Sequence, residues 1–135
     1  MADYISTSRH ADSPRIVASK SIVAPVDGTH TCIRIPHRAM VTRVWTDVTT
    51  AFGSAGAVLT IGFVGNGETA DPDAFMGTAA TQPNLVAMRS SSEDNNPASQ
   101  GKYFADAGGL ITATTDDNGS TAGNFAVFAE YYVVY

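Results

Sequence analysis

Residues Val58–Met76 read VLTIGFVGNGETADPDAFM. Leu59, Ile61 and Phe63 fall on one face of an alternating apolar run, which is the period of a β-strand half buried against a core. The run enters a glycine-rich turn in which Gly65 and Gly67 supply positive φ angles and Asn66 tolerates one. Two chemical readings compete with this architectural one. A dinucleotide loop needs the order G-x-G-x-x-G and a long helix after it. From Gly62 the order is instead G-x-x-G-x-G, and the acids that follow repel phosphate. Glu68, Asp71 and Asp73 are oxygen donors of the kind calcium takes, but the spacing of a calcium-binding loop is absent. Asp71 has a simpler use as the N-cap of one helical turn over 71–76, with Pro72 at its first position. That turn is expected to tuck Phe75 and Met76 back onto the core.

Outward from this stretch the chain continues as strand after strand. RIVASKSIVA (15–24) stops at Pro25, and THTCIRIP (29–36) alternates with Thr31, Ile33 and Ile35 on one face. MVTRVWTDVTT (40–50) places Met40, Val44 and Val48 with Thr42 and Thr46 on one face, and Val41, Arg43, Trp45 and Asp47 on the other. NLVAM (84–88), GKYF (101–104) and GLITATT (109–115) follow, the last running into the turn Asp116-Asp117-Asn118-Gly119. GNFAVFAEYYVVY (123–135) closes the chain with the strongest strand composition present. No long amphipathic helix interrupts the series, which excludes βαβ units. The expectation is an all-β, antiparallel jelly-roll-like β-sandwich of about eight strands. Its domain spans 15–135, and an extended, unpatterned N-terminal arm, 1–14, precedes it. Val44, Leu59, Ile61, Phe63, Ile111, Val127 and Phe128 are the expected core.

The chain has 135 residues, 44% of them hydrophobic and 16% charged, which suits a globular domain with a real core. No apolar run approaches the ~20 residues that span a bilayer, and the polar start shows no secretory signal. Folding in a cytoplasm is expected. The net charge of −5 argues against nucleic acid as a partner. Cys32 stands alone, so it forms no intrachain disulfide and reads as a packing residue in a strand. His10, His30 and His37 are scattered, and no serine sits in a nucleophile elbow. No catalytic residue, cofactor or metal is expected.

The closing strand is apolar on both faces, with only Glu130 interrupting. Its surplus apolar surface is expected to be covered by the N-terminal arm or by another subunit.

The segments IPHRAMVTRVWTDVTTAF (35–52), VLTIGFVGNGETADPDAFM and GLITATTDDNGSTAGNFAVFAEYYVVY (109–135) together resemble a group of small virion structural proteins of tailed bacteriophages. Those proteins share an Ile-Pro strand opening, an I-G-x-x-G turn leading to D-P-D-x-F, and a closing I-T-A-T hairpin. The resemblance covers roughly 33–76 and 109–132, about half the chain. It implies a capsid decoration or cement protein of the head-fibre-like jelly-roll type, forming a homotrimer on the major capsid protein at the virion surface. It carries no catalytic residues. On this reading Tyr4, Ile5, Arg9 and Arg15 are the candidate capsid-attachment residues, and Tyr131, Tyr132 and Val134 the candidate trimer contacts. The alternative is a fibre or receptor-binding, glycan-binding β-sandwich module, which a groove lined with exposed aromatics would favour.

Overall fold

Alternating strands bury their apolar faces only where a second layer meets them, and in this chain two antiparallel sheets do so. The computed structural model describes residues 14–23, 25–105, 107–116 and 122–134. In chain order the strands are β1 (Arg15–Ala18), β2 (Ile22–Val23), β3 (Gly28–Ile35), β4 (Ala39–Thr50), β5 (Val58–Gly65), β6 (Glu68–Met76), β7 (Ala87–Ser90), β8 (Lys102–Phe104), β9 (Gly109–Asp116) and β10 (Asn124–Val133). One helical turn, α1 (Thr78–Thr81), follows β6, and a 3-10 turn spans Ser91–Glu93.

The pairings nest around the β5–β6 hairpin. Outside it β4 pairs with β7 and β8, then β3 with β9, then β1 and β2 with β10. Two further ladders, β4 with β10 and β5 with β9, close this nested ribbon into a sheet of order β1-β10-β4-β7 and a sheet of order β3-β9-β5-β6. A long antiparallel ribbon wrapped in this way is a jelly roll. The core lies between the sheets. Val44, Leu59, Ile61, Ile111 and Val127 have no exposed surface, and Phe63 is buried edge-on against Phe104.

The Cys32 bulge of β3 turns Thr31 to the outer face, away from Ile33 and Ile35, with which simple alternation groups it, and four further places depart from the expected pattern. First, residues 71–76 are not a capped helical turn but the last two thirds of β6, whose Phe75 and Met76 are fully buried. The ladder pairs Phe63 with Asp71 and then Ile61 with Met76, so four residues of β6 bulge out against Gly62 alone. Pro72, which has no N–H to donate, sits within that bulge, where no ladder bond is required of it. The Ala74 carbonyl in the same bulge accepts from the Ala98 N–H at 2.8 Å.

Second, the strand expected at 84–88 begins later, at Ala87, because its partner is the Trp45–Val48 segment of β4. Third, Val41 is buried alongside Val44 and Val48, whereas Met40 lies on the opposite face. Arg43 pairs with Glu130 and Val41 with Tyr131, which leaves Thr42 as an extra residue that reverses the side-chain parity. Fourth, Phe128 is not a core residue. Its neighbours Val127 and Ala129 point inward, so alternation along β10 turns Phe128 to the outer face, where it is half-buried.

Candidate interaction surface

The outer face of the β1-β10-β4-β7 sheet follows directly from the register. Ala18 stands opposite Phe128, Phe128 opposite Trp45, and Trp45 opposite Ser90. Two residues along in one direction Ile16 faces Glu130, and two along in the other Ala126 faces Asp47, which in turn faces Met88. Ile16, Trp45, Met88 and Phe128 line an open groove of about 300 Å³. Ile16 is 65% exposed and Met88 58%, so apolar area of this kind remains in water.

Charges frame the groove along β4. The Arg43 guanidinium lies 5.5 Å from the centre of the Trp45 ring, close enough for a cation–π contact. Glu130, the register partner of Arg43 on this face, accepts a hydrogen bond on its Oε1 from the bulged Thr42 hydroxyl at 2.7 Å. Asp47 lies beyond Trp45 on the far side. Toward the end of the same face, Tyr132 stands opposite Met40, and Met40 opposite Tyr103.

A second concavity, about 750 Å³, lies between the β5–β6 hairpin and residues 97–103. Lys102 crosses it. Its ammonium is 2.8 Å from Glu68 Oε2 and 4.3 Å from the centre of the Phe63 ring. Hydrogen bonds from Lys102 and then from Asn66 hold the Glu68 carboxyl below its ordinary range. Asp73 is shifted the other way. A hydrogen bond shared with Asp71 leads, and partial burial and the Asp71 charge add to it. The three acids of this hairpin therefore divide between a lysine and each other, and among the described residues no three metal-ligating side chains converge. Tyr103, 39% exposed, stands at the rim.

The residues singled out in the sequence are not gathered into one site. Tyr4, Ile5 and Arg9 lie outside the described residues, as do Asp117, Asn118 and Gly119 of the expected hairpin turn. Arg15 opens β1, exposed and paired in register with Tyr131. Tyr131 itself is 8% exposed and belongs to the core of its own sandwich. Tyr132 and Val134 remain half-buried at the end of β10, where the Arg38 side chain donates to the Val134 carbonyl at 2.9 Å. Cys32 is the extra residue of a bulge in β3, and burial pushes its thiol up to about 11, which keeps it a neutral packing group.

The groove of Ile16, Trp45, Met88 and Phe128 was not assembled from the sequence. Its signal was present in two places, the second apolar face of β10 and the placing of Trp45 opposite Val44. What was missing is the pairing that sets them side by side.

No protein-family model and no curated protein matches the sequence. Solved structures do match the fold. A chain in the acidic stable capsid structure of Helicobacter pylori bacteriophage KHP30 superimposes with a TM-score of 0.67 at 12% identity, covering 93% of this chain and 91% of that one. A chain of the cyanophage Pam1 capsid asymmetric unit superimposes with a TM-score of 0.66 at 11% identity, covering 98% and 93% respectively. At these identities the likeness is one of fold, and it spans nearly the whole of each chain.

Proposed function

We propose that this chain is a non-enzymatic structural protein of a bacteriophage virion, made in the host cytoplasm and carried on the outside of the capsid as a decoration or cement protein. The observation that carries the reading is the jelly roll it shares, almost end to end, with chains from two phage capsids. The finer role rests on the sequence resemblance and on a physical argument. A homotrimer presents three copies of each attachment surface, so modest contacts to the major capsid protein add into avidity once one is engaged. Tyr132 and Val134, partly exposed at the end of β10, remain the proposed trimer contacts. Tyr131 supports them from within the core. The arm 1–14 supplies attachment through Tyr4, Ile5 and Arg9, and Arg15 at its base pairs with capsid carboxylates.

The test is co-sedimentation of the purified protein with phage capsids stripped of their outer proteins. Full-length protein is expected to pellet with the capsids, and deletion of residues 2–13 to weaken that binding by roughly tenfold or more as avidity is lost. Equal binding without the arm would move attachment to the sandwich loops at 25–30 or 89–100. Binding to cells or glycans in place of capsids would replace decoration with the receptor-binding alternative. The concavities that carry aromatic side chains, Tyr103 at the rim of one and Trp45 and Phe128 in the other, are the features that favour that second reading.

A further inference from the structure

We propose that the outer face of the β1-β10-β4-β7 sheet is a contact between two copies of this chain, related by a two-fold axis that passes between the sheets at Trp45. The face has the anatomy of an interface. An apolar centre of Ile16, Trp45, Met88 and Phe128 is bordered by charged and polar side chains. A tryptophan at its middle is the kind of residue on which binding energy concentrates.

The choice of a second copy comes from the arrangement of charge. Arg43 and Asp47 lie on the same face of β4, two residues to either side of Trp45, roughly 13 Å apart along an extended strand. Among the described residues neither side chain is held in an ion pair; the contact of Arg43 is with the Trp45 ring. When two such sheets stack with their β4 strands antiparallel, Trp45 lies over Trp45. Arg43 of each copy then lies over Asp47 of the other. One patch thus supplies both halves of two ion pairs, which is the self-complementarity an isologous contact requires. Stacked sheets cross at about 30°, an offset that the length of an arginine side chain covers. The inference rests on this face alone and stands whether or not the chain belongs to a virion. If the free protein is a trimer through the end of β10, the same contact joins two trimers.

The test is sedimentation velocity on the full chain across a range of concentrations up to high micromolar. Wild type is expected to show a concentration-dependent doubling of mass, from one chain to two or from three to six. Arg43→Asp places two acids over each other, and Asp47→Arg two arginines, so each is expected to weaken the doubling by roughly tenfold or more. An equimolar mixture of the two variants restores both pairs and is expected to associate as wild type does, as is the double variant R43D/D47R. Circular dichroism on each variant establishes that the sandwich is intact. A wild type that never doubles overturns the proposal. So do single variants that double normally, or a mixture that associates no better than its components, since another partner or another surface would then occupy the face.

Discussion

On the outer face of the β3-β9-β5-β6 sheet, the Thr29 and Thr114 hydroxyls hydrogen-bond across 3.1 Å, with Thr60 beside Thr114 and Thr31 opposite Thr112 in the ladder. On the outer face of the β1-β10-β4-β7 sheet, the corresponding rows carry Ile16, Phe128, Trp45 and Met88. Both sheets wrap the same core, and both alternate with the same period. Threonine serves the strand backbone with its branched Cβ and serves water with its hydroxyl, so a threonine face is finished in a monomer. Part of the four-stranded face is also covered by its own chain, where the β6 bulge lies across Gly62. An aromatic and thioether face satisfies the backbone equally well but leaves apolar area in solvent. Where its threonines and the β6 bulge lie, the four-stranded face is thus closed by its own chain, whereas the aromatic face gains from cover.

Gly62→Ala tests the closed surface most severely. A Cβ at this position would overlap the Asp71 carbonyl oxygen and the Pro72 backbone, neither of which can swing aside as a side chain can. The expected cost is about 4–5 kcal/mol or outright failure to fold, the range of severe backbone clashes in packed cores. Chemical denaturation measures it. A variant as stable as wild type would mean that the β6 bulge does not rest on Gly62.

The next largest effect sharpens the contrast between inner and outer faces. Phe63→Ala removes a ring that is 4% exposed and packed edge-on against Phe104, and is expected to cost about 3–5 kcal/mol. Phe128→Thr on the outer face is expected to cost only about 1 kcal/mol, because a half-buried ring forfeits less apolar contact and threonine keeps the strand preference. Equal losses in denaturation midpoint for the two variants would erase the distinction drawn between the faces.

The smallest effect is a titration. The folded protein holds the Asp73 carboxyl above its unfolded value, so between the two values the native state binds more protons and stability falls as pH rises. Asp73→Asn removes this penalty. It is expected to raise the melting temperature slightly near neutral pH and to leave it unchanged well below the ordinary aspartate range. Glu68, held low by Lys102, works in the opposite direction, contributing above its unfolded value and losing that contribution as pH falls through the folded one. A gain from Asp73→Asn that persists at low pH would place its origin outside the Asp71–Asp73 pair.

Reading the two faces from sequence succeeded where strands run regularly and failed where they bulge. Leu59, Ile61 and Phe63 went inward as their alternation requires, and the Gly65-Asn66-Gly67 turn adopts positive φ at all three residues. The assignment of Met40 and Val41 was inverted because one extra residue, Thr42, changes parity without changing composition. Helical expectation at Asp71-Pro72 failed for a related reason. Local capping preference is worth about 1 kcal/mol, whereas the open edge of β5 and the burial of Phe75 and Met76 favour a fourth strand more strongly.

The sequence by itself determined the all-β class, most strand positions, the tight turn at Gly65–Gly67 and most of the buried residues, because these follow from periodicity and backbone preference within a few residues. Only the tertiary structure decided which strands are neighbours. That choice set Phe128 beside Trp45 and Met88, turned Lys102 onto Glu68, and laid Pro72 across Gly62. Each of these contacts joins segments between about ten and about 80 residues apart, and their geometry depends on register and bulges. A one-residue slip moves every following side chain to the other face, so no local pattern specifies it.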